Sequence, residues 1–130
     1  MKVFVLEDNW NRIEQFQGLF ASMDFDHVYA TNVVDAQSMY IQEDADYVFL
    51  DHDLGGQVYV DSDEENTGYQ FVKWIVANDP KITERKFVVH SFNAIGSERM
   101  LKHLIDAGAD VRYIAFNIWN LRDWIIDDAS

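Results

Sequence analysis

The sequence predicts an α/β fold, a single domain on a doubly wound, five-stranded parallel sheet with helices on both faces. Three observations carry that expectation. Five short apolar runs recur along the 130 residues, segments of helical spacing lie between them, and three of the runs are apolar almost without a break. Strands covered on both faces have that last property. A chain of this length suits one core and leaves little room for a second.

The first run is KVFVLED, Lys2 to Asp8. After it, NRIEQFQGLFASM spaces Ile13, Phe16, Leu19, Phe20 and Met23 by threes and fours, an apolar helix face. Asp8 or Asn9 is placed to cap that helix. HVYAT (His27 to Thr31) is the second run, and VVDAQSMYIQED follows with a weaker pattern of Val34, Met39 and Tyr40. YVFLD (Tyr47 to Asp51) is the third run. Beyond it, GYQFVKWIVAND groups Phe71, Trp74 and Ile75, and Pro80 stops the helix. KFVVHS (Lys86 to Ser91) is the fourth, and SERMLKHLIDAGA follows with Met100, Leu101, Leu104 and Ile105. Gly108 is positioned as its C-terminal cap. VRYIAF (Val111 to Phe116) is the fifth, and NLRDWIIDDAS makes a last short helix on Leu121, Trp124 and Ile125. Valine, phenylalanine and tyrosine dominate the runs, as strands favour. Trp119 and Trp124 are read as core, with a dimer face as the alternative.

Composition narrows the chemistry. At 48% hydrophobic and 15% aromatic, the chain has ample apolar surface to bury. It has no cysteine, so disulfides and thiolate sites are excluded and any metal must take oxygen or imidazole ligands. Twenty-three acids against ten bases give a formal charge of −13. Such a surface repels a phosphate polyanion, which argues against nonspecific binding to a nucleic-acid backbone. A small phosphorylated ligand held through a divalent cation remains compatible. Residues 1–6 read as a strand rather than a leader, and no apolar stretch is long enough to span a bilayer, so the expectation is a soluble cytoplasmic protein with no membrane partner.

In a doubly wound sheet, functional side chains collect at the carboxyl ends of the strands. Here strand one ends in Glu7-Asp8, strand three in Asp51-His52-Asp53, and strand four in His90-Ser91 with Asn93 close behind. Each cluster alone has a bland explanation: a helix cap, a hydrogen-bonded core histidine, a turn residue before Gly55-Gly56. Their joint occurrence at three strand ends points to a site. Carboxylates this close need a proton or a cation between them, and oxygen ligands without sulfur suit Mg²⁺. His27 and His103 lie off this edge and are read as structural or surface residues.

The succession VLED, VFLD, VVHS and DAGAD resembles a receiver domain, the phosphoacceptor module of two-component response regulators, over nearly the whole chain. The resemblance implies a flavodoxin-like, receiver-like fold. It implies that Glu7 and Asp8 help hold Mg²⁺, that Asp51 is the phosphoacceptor, and that Ser91 contacts the phosphoryl group. Gly68 is similar to the glycine that opens the third helix. Two features depart from the pattern. The lysine at the end of strand five is missing, since YIAFN offers only Ala115, Phe116 and Asn117. An acidic loop is also inserted around residues 55–67, and a long loop beside a site can act as a lid or contribute a ligand.

LEDNWNRIEQF, LDHDLGG, TGYQFVKWI and VHSFN together resemble a narrower group, the cyclic-phosphate-processing receiver-like domains. Its matching positions are Asp8, Arg12, Asp51, His52, Asp53, His90, Ser91 and Asn93. This resemblance implies a metal-dependent phosphoesterase acting on a cyclic or nucleotide phosphate. Mg²⁺ or Mn²⁺ would sit on Glu7, Asp8 and Asp51. Arg12, Ser91 and Asn93 would bind phosphate, and Asp51, Asp53, His52 and His90 would serve catalysis, the two histidines as base and acid. Two other readings stand beside it. One is a signalling module, either an atypical receiver phosphorylated at Asp51 or a pseudo-receiver that binds protein partners. The other is an acidic inhibitor of a basic protein.

Overall fold

The apolar runs become five strands in a computed structural model that describes residues 1–56 and 60–130. They are β1 (Lys2–Leu6), β2 (Asp26–Ala30), β3 (Tyr47–Leu50), β4 (Lys86–Val89) and β5 (Asp110–Tyr113). All pair in parallel, in the order β2-β1-β3-β4-β5. Between and after them run α1 (Trp10–Ser22), α2 (Val33–Glu43), α3 (Gly68–Asn78), α4 (Ala94–Asp106) and α5 (Ile118–Ala129). This is a flavodoxin-like receiver fold. Its strand order reverses between β1 and β3, which opens a crevice at their carboxyl ends.

Successive strand residues point to opposite faces, and the sheet uses that alternation to build two cores. Val3, Val5, Tyr47, Phe49 and Val88 pack with Phe16 and Phe20 of α1 and Leu121 and Ile125 of α5. Phe4, Leu6, Val48, Leu50, Phe87 and Val89 pack with Tyr40 of α2, Phe71 and Ile75 of α3, and Met100 and Leu104 of α4. β1, β3 and β4 are buried nearly throughout, as their unbroken apolar runs require.

The helix boundaries follow from side-chain caps. Asn9, Asn32, Thr67, Asn93 and Asn117 each accept a backbone N–H of the first turn that follows. Pro80 lies just beyond the end of α3, and Gly108, at φ +83°, follows α4. Three details differ from the sequence expectation. The buried face of α2 is Val33, Ala36 and Tyr40, while Val34 is 76% exposed. With Asn32 as the cap, Val33, Ala36 and Tyr40 recur at three and four on the side that meets the sheet. Ile105 lies on the outer side of α4, and Trp119 is exposed while Trp124 is half-buried against Tyr47. Trp119 sits in the first turn of α5, ahead of the Leu121–Ile125 stripe that meets the sheet. No helix among the described residues is long and apolar enough to cross a membrane. Part of the acidic insertion, residues 57–59, lies outside the described residues.

Candidate functional site

The ladder of hydrogen bonds continues one residue past the strands and aligns three side chains. Leu6 is in register with Leu50, and Leu50 with Val89. Asp51 N–H then donates to Leu6 O and His90 N–H to Leu50 O, both at 3.0 Å. Glu7, Asp51 and His90 therefore stand in one row on the α1 face, all buried. Their ligand atoms lie within 4.8 Å of one another.

Glu7 is the most constrained member. Its Oε2 accepts the N–H groups of Asp8 and Asn9 at 3.0 and 3.2 Å. Its Oε1 accepts His90 Nε2–H at 3.0 Å and Arg12 at 3.5 Å. Burial opposes ionisation of Glu7, but His90, Asp51 and the Asn9 N–H outweigh it and hold its pKa at about 2. Asp51 goes the other way. Burial, then the charge and hydrogen bond of Glu7, raise its pKa to about 8, against the opposing pull of Arg12 and the His52 N–H. Two buried carboxylates this close favour opposite protonation, Glu7 ionised and Asp51 neutral. His90 is packed between Phe16 and Phe116, with ring centroids at 5.3 and 6.1 Å. Its Nδ1 has no partner among the described residues.

No lysine follows β5, and the cation nearest the carboxylates comes from α1. Phe116 extends the sheet by donating its N–H to His90 O. The Arg12 guanidinium, from the first turn of α1, lies over the Phe116 ring at 5.1 Å and over Phe92 at 4.9 Å. The two rings hold the cation beside Glu7 without neutralising it.

His52 follows Asp51 directly and so points to the opposite face, toward α4. Its ring is fully buried and fills the space over Gly96, where any Cβ would collide with it. Its Nδ1 lies 2.9 Å from Asp53 Oδ1 and its Nε2 lies 2.9 Å from Ser62 Oγ. A carboxylate only accepts, so Nδ1 carries the hydrogen. Asp53 Oδ1 also accepts Val60 N–H and Asn93 Nδ2–H. Asn93 spends its Oδ1 on the Gly96 N–H as the α4 cap and donates Nδ2–H to Val60 O as well. This network ties the inserted loop to the site, and an antiparallel bridge between Asp53 and Thr67 closes the loop's base. Gly68, next along, packs so closely on the Asp51 carbonyl that no Cβ fits.

A cavity of about 330 Å³ opens at this end of the sheet. Of the residues expected in a site, Glu7, Asp8, Arg12, Asp51, Asp53 and Ser91 line it. Asp8 turns one oxygen onto the Gly56 N–H at 2.7 Å, so the donor atoms that converge most tightly are those of Glu7, Asp51 and His90. His52, His90 and Asn93 do not line it. His90 supports Glu7 from behind, and His52 and Asn93 support Asp53. The sequence reading expected both imidazoles to face the phosphate, and strand alternation separates them. Trp10 and Phe92 also line the cavity and Ser62 meets His52, none of them among the expected residues. The first two lie two residues after Asp8 and one after Ser91, and that adjacency was the available signal. Ser62 reaches His52 only through the loop's tertiary path, so no local signal marks it.

A family model described as a cyclic-phosphate processing receiver domain matches residues 2–106. No curated protein matches the sequence. Among solved structures, a CheY-like response regulator receiver domain from Methanospirillum hungatei is similar at a TM-score of 0.72 and 15% identity, over 98% of this chain and 91% of that one. The receiver domain of sensor histidine kinase PA1611 from Pseudomonas aeruginosa, with magnesium coordinated in its active-site cleft, gives 0.69 at 16% identity, over 97% and 94%. Response regulator TrrA from Thermotoga maritima, in complex with Mg²⁺ and BeF, gives 0.66 at 15% identity, over 97% and 96%. At these identities the structural likeness establishes the fold. The family match spans most of the chain and takes in the row of Glu7, Asp51 and His90: the chain belongs to the cyclic-phosphate-processing receiver domains.

Proposed function

We propose that the cavity binds a small cyclic or nucleotide phosphate and hydrolyses it with the help of a divalent cation. The observation that carries this reading is the placement of Arg12, held over Phe92 and Phe116 and facing the carboxylates of Asp51 and Asp53 across one cavity. A planar guanidinium forks onto phosphate oxygens, and it arrives here from α1 where an ordinary receiver takes its cation from β5.

The donor set fits Mg²⁺ or Mn²⁺. It is made of oxygen and contains two crowded carboxylates, where burial and then the neighbouring Glu7 push the pKa of Asp51 up to about 8, an environment that a divalent cation would relieve. Asp8 and Asp51, backed by Glu7, would hold the ion, which supplies charge neutralisation and polarises a bound water. Glu7 and His90 fix Asp51 in place. Arg12 and the Ser91 hydroxyl bind phosphoryl oxygens and stabilise the charge that builds on them. Asp53, held by three donors on its Oδ1, positions the attacking water. One water attacks phosphorus, one phosphorus–oxygen bond of the ring breaks, and the proton of the water ends on the released oxygen. His52 acts through Asp53, and His90 acts through Glu7.

The test is turnover of 2′,3′-cyclic nucleotides with Mg²⁺ or Mn²⁺. Wild type should open the ring, and Asp51→Asn should lose at least about 100-fold. Absence of turnover across a panel of cyclic phosphates would sink the reading. Asp51 and Ser91, which line one cavity of a receiver fold, also favour a second reading, phosphorylation of Asp51. That reading requires a mass increase of one phosphoryl group on treatment with a small phosphodonor, lost in Asp51→Asn.

A further inference from the structure

Two large aromatic side chains stand exposed at the mouth of the same cavity. Trp10, the first residue of α1, is 69% exposed, and Phe92, directly after Ser91, is 52% exposed. Single exposed aromatics are common on protein surfaces and need no cause. These two flank one cavity whose floor is polar. Each is tied by one or two peptide units to a residue of the proposed phosphate site.

From this geometry we infer that Trp10 and Phe92 form a stacking platform for a nucleobase, so that the phosphate ester this site takes is a single nucleoside phosphate. The inference rests on the phosphate-binding reading above and specifies its substrate class. A flat π-system is what exposed indole and phenyl faces recognise, and stacking tolerates any base because every base has a π-face. The cavity volume of about 330 Å³ lies at the small end for ligand sites, the size of a small ligand such as one nucleotide. The charge of −13 disfavours a longer phosphate polymer as well. Phe92 also holds Arg12, so the base and the phosphate are gripped by adjoining groups. Trp10 has no such second role.

Calorimetric titration tests this, using adenosine 3′- and 5′-monophosphate with Mg²⁺ and ribose 5-phosphate as the base-free control. At least one nucleotide should bind about tenfold tighter than ribose 5-phosphate. Trp10→Ala should erase that preference while leaving affinity for ribose 5-phosphate unchanged. Phe92→Ala should lower both affinities. Equal binding of nucleotide and ribose phosphate by wild type, or a preference that survives Trp10→Ala, overturns the platform and leaves the phosphate site standing. If neither ligand binds, the phosphate reading fails and the platform fails with it.

Discussion

Buried acids occur at both ends of the sheet, with opposite consequences. At the amino end, Asp79 meets Arg85 in a two-point contact, Nε to Oδ2 at 2.8 Å and a second nitrogen to Oδ1 at 3.1 Å. Tyr40 donates its hydroxyl to Asp79 at 2.7 Å, and Arg85 also reaches Asp44 and Ala45 O. Burial opposes ionisation of Asp79, but Arg85, Tyr40 and the Lys81 N–H outweigh it and its pKa is lowered. At the carboxyl end, Glu7 and Asp51 face each other, and the nearest guanidinium, Arg12, stands 3.5 Å from Glu7 with its side chain 23% exposed. There the pKa of Asp51 rises to about 8. A buried carboxylate with a matched cation is architecture, whereas two buried carboxylates that face each other raise the pKa of one of them.

That contrast can be broken most directly through the two arginines. Arg85→Ala strands Asp79 in the interior and should cost about 3–5 kcal/mol in urea unfolding, with no dependence on Mg²⁺. A loss below about 1 kcal/mol would mean that the amino-end cluster is not architecture.

A smaller effect should appear as a pH dependence. The folded chain keeps a proton on Asp51 up to about pH 8, while the unfolded chain releases it near pH 4. Between those values the folded state holds more protons, so stability without metal falls as pH rises, by an amount on the order of a few kcal/mol. Glu7 acts in the opposite sense. With a folded pKa of about 2, its contribution is present above about pH 4.5 and disappears as pH falls through 2. From these two groups stability should therefore peak near pH 4 in EDTA and decline from there toward pH 8. Urea midpoints at pH 5, 6.5 and 8 test this: Asp51→Asn should flatten the decline, and Mg²⁺ should offset it at pH 8. A midpoint that rises from pH 5 to 8 in EDTA would contradict the opposite protonation of Glu7 and Asp51.

The smallest expected effect is that of Arg12→Gln. A partly exposed guanidinium 3.5 Å from its carboxylate contributes less than about 1 kcal/mol to stability. The substitution should leave the unfolding midpoint nearly unchanged while weakening inorganic phosphate binding in the presence of Mg²⁺. Matching losses from Arg12→Gln and Arg85→Ala would erase the distinction between the two ends.

Much of this arrangement could be read before any coordinates. Apolar runs five to seven residues long, separated by helical spacing, mark the parallel sheet, because strands covered on both faces lack polar alternation. The acids at the ends of β1 and β3 and the histidine at the end of β4 were legible as one site, because doubly wound sheets gather polar groups there. The roles of the histidines were not legible in the same way. Asp51-His52 reads as a cluster along the chain, but neighbours on a strand face opposite sides. His52 therefore packs on Gly96 and holds the loop, while His90 shares the face of Asp51 and holds Glu7.

By itself the chain determined its elements, their caps and which strand ends carry acids, since propensity, period and cap chemistry act over a few neighbouring residues. Only the tertiary structure decided which ionisable groups meet. Strand order sets β1 beside β3 and β3 beside β4, register puts Glu7, Asp51 and His90 in one row, and α1 carries Arg12 over the Phe116 ring just beyond β5. Those contacts join residues up to 83 positions apart. Charge acts through space, so their energies follow from the packing and cannot be read from order along the chain.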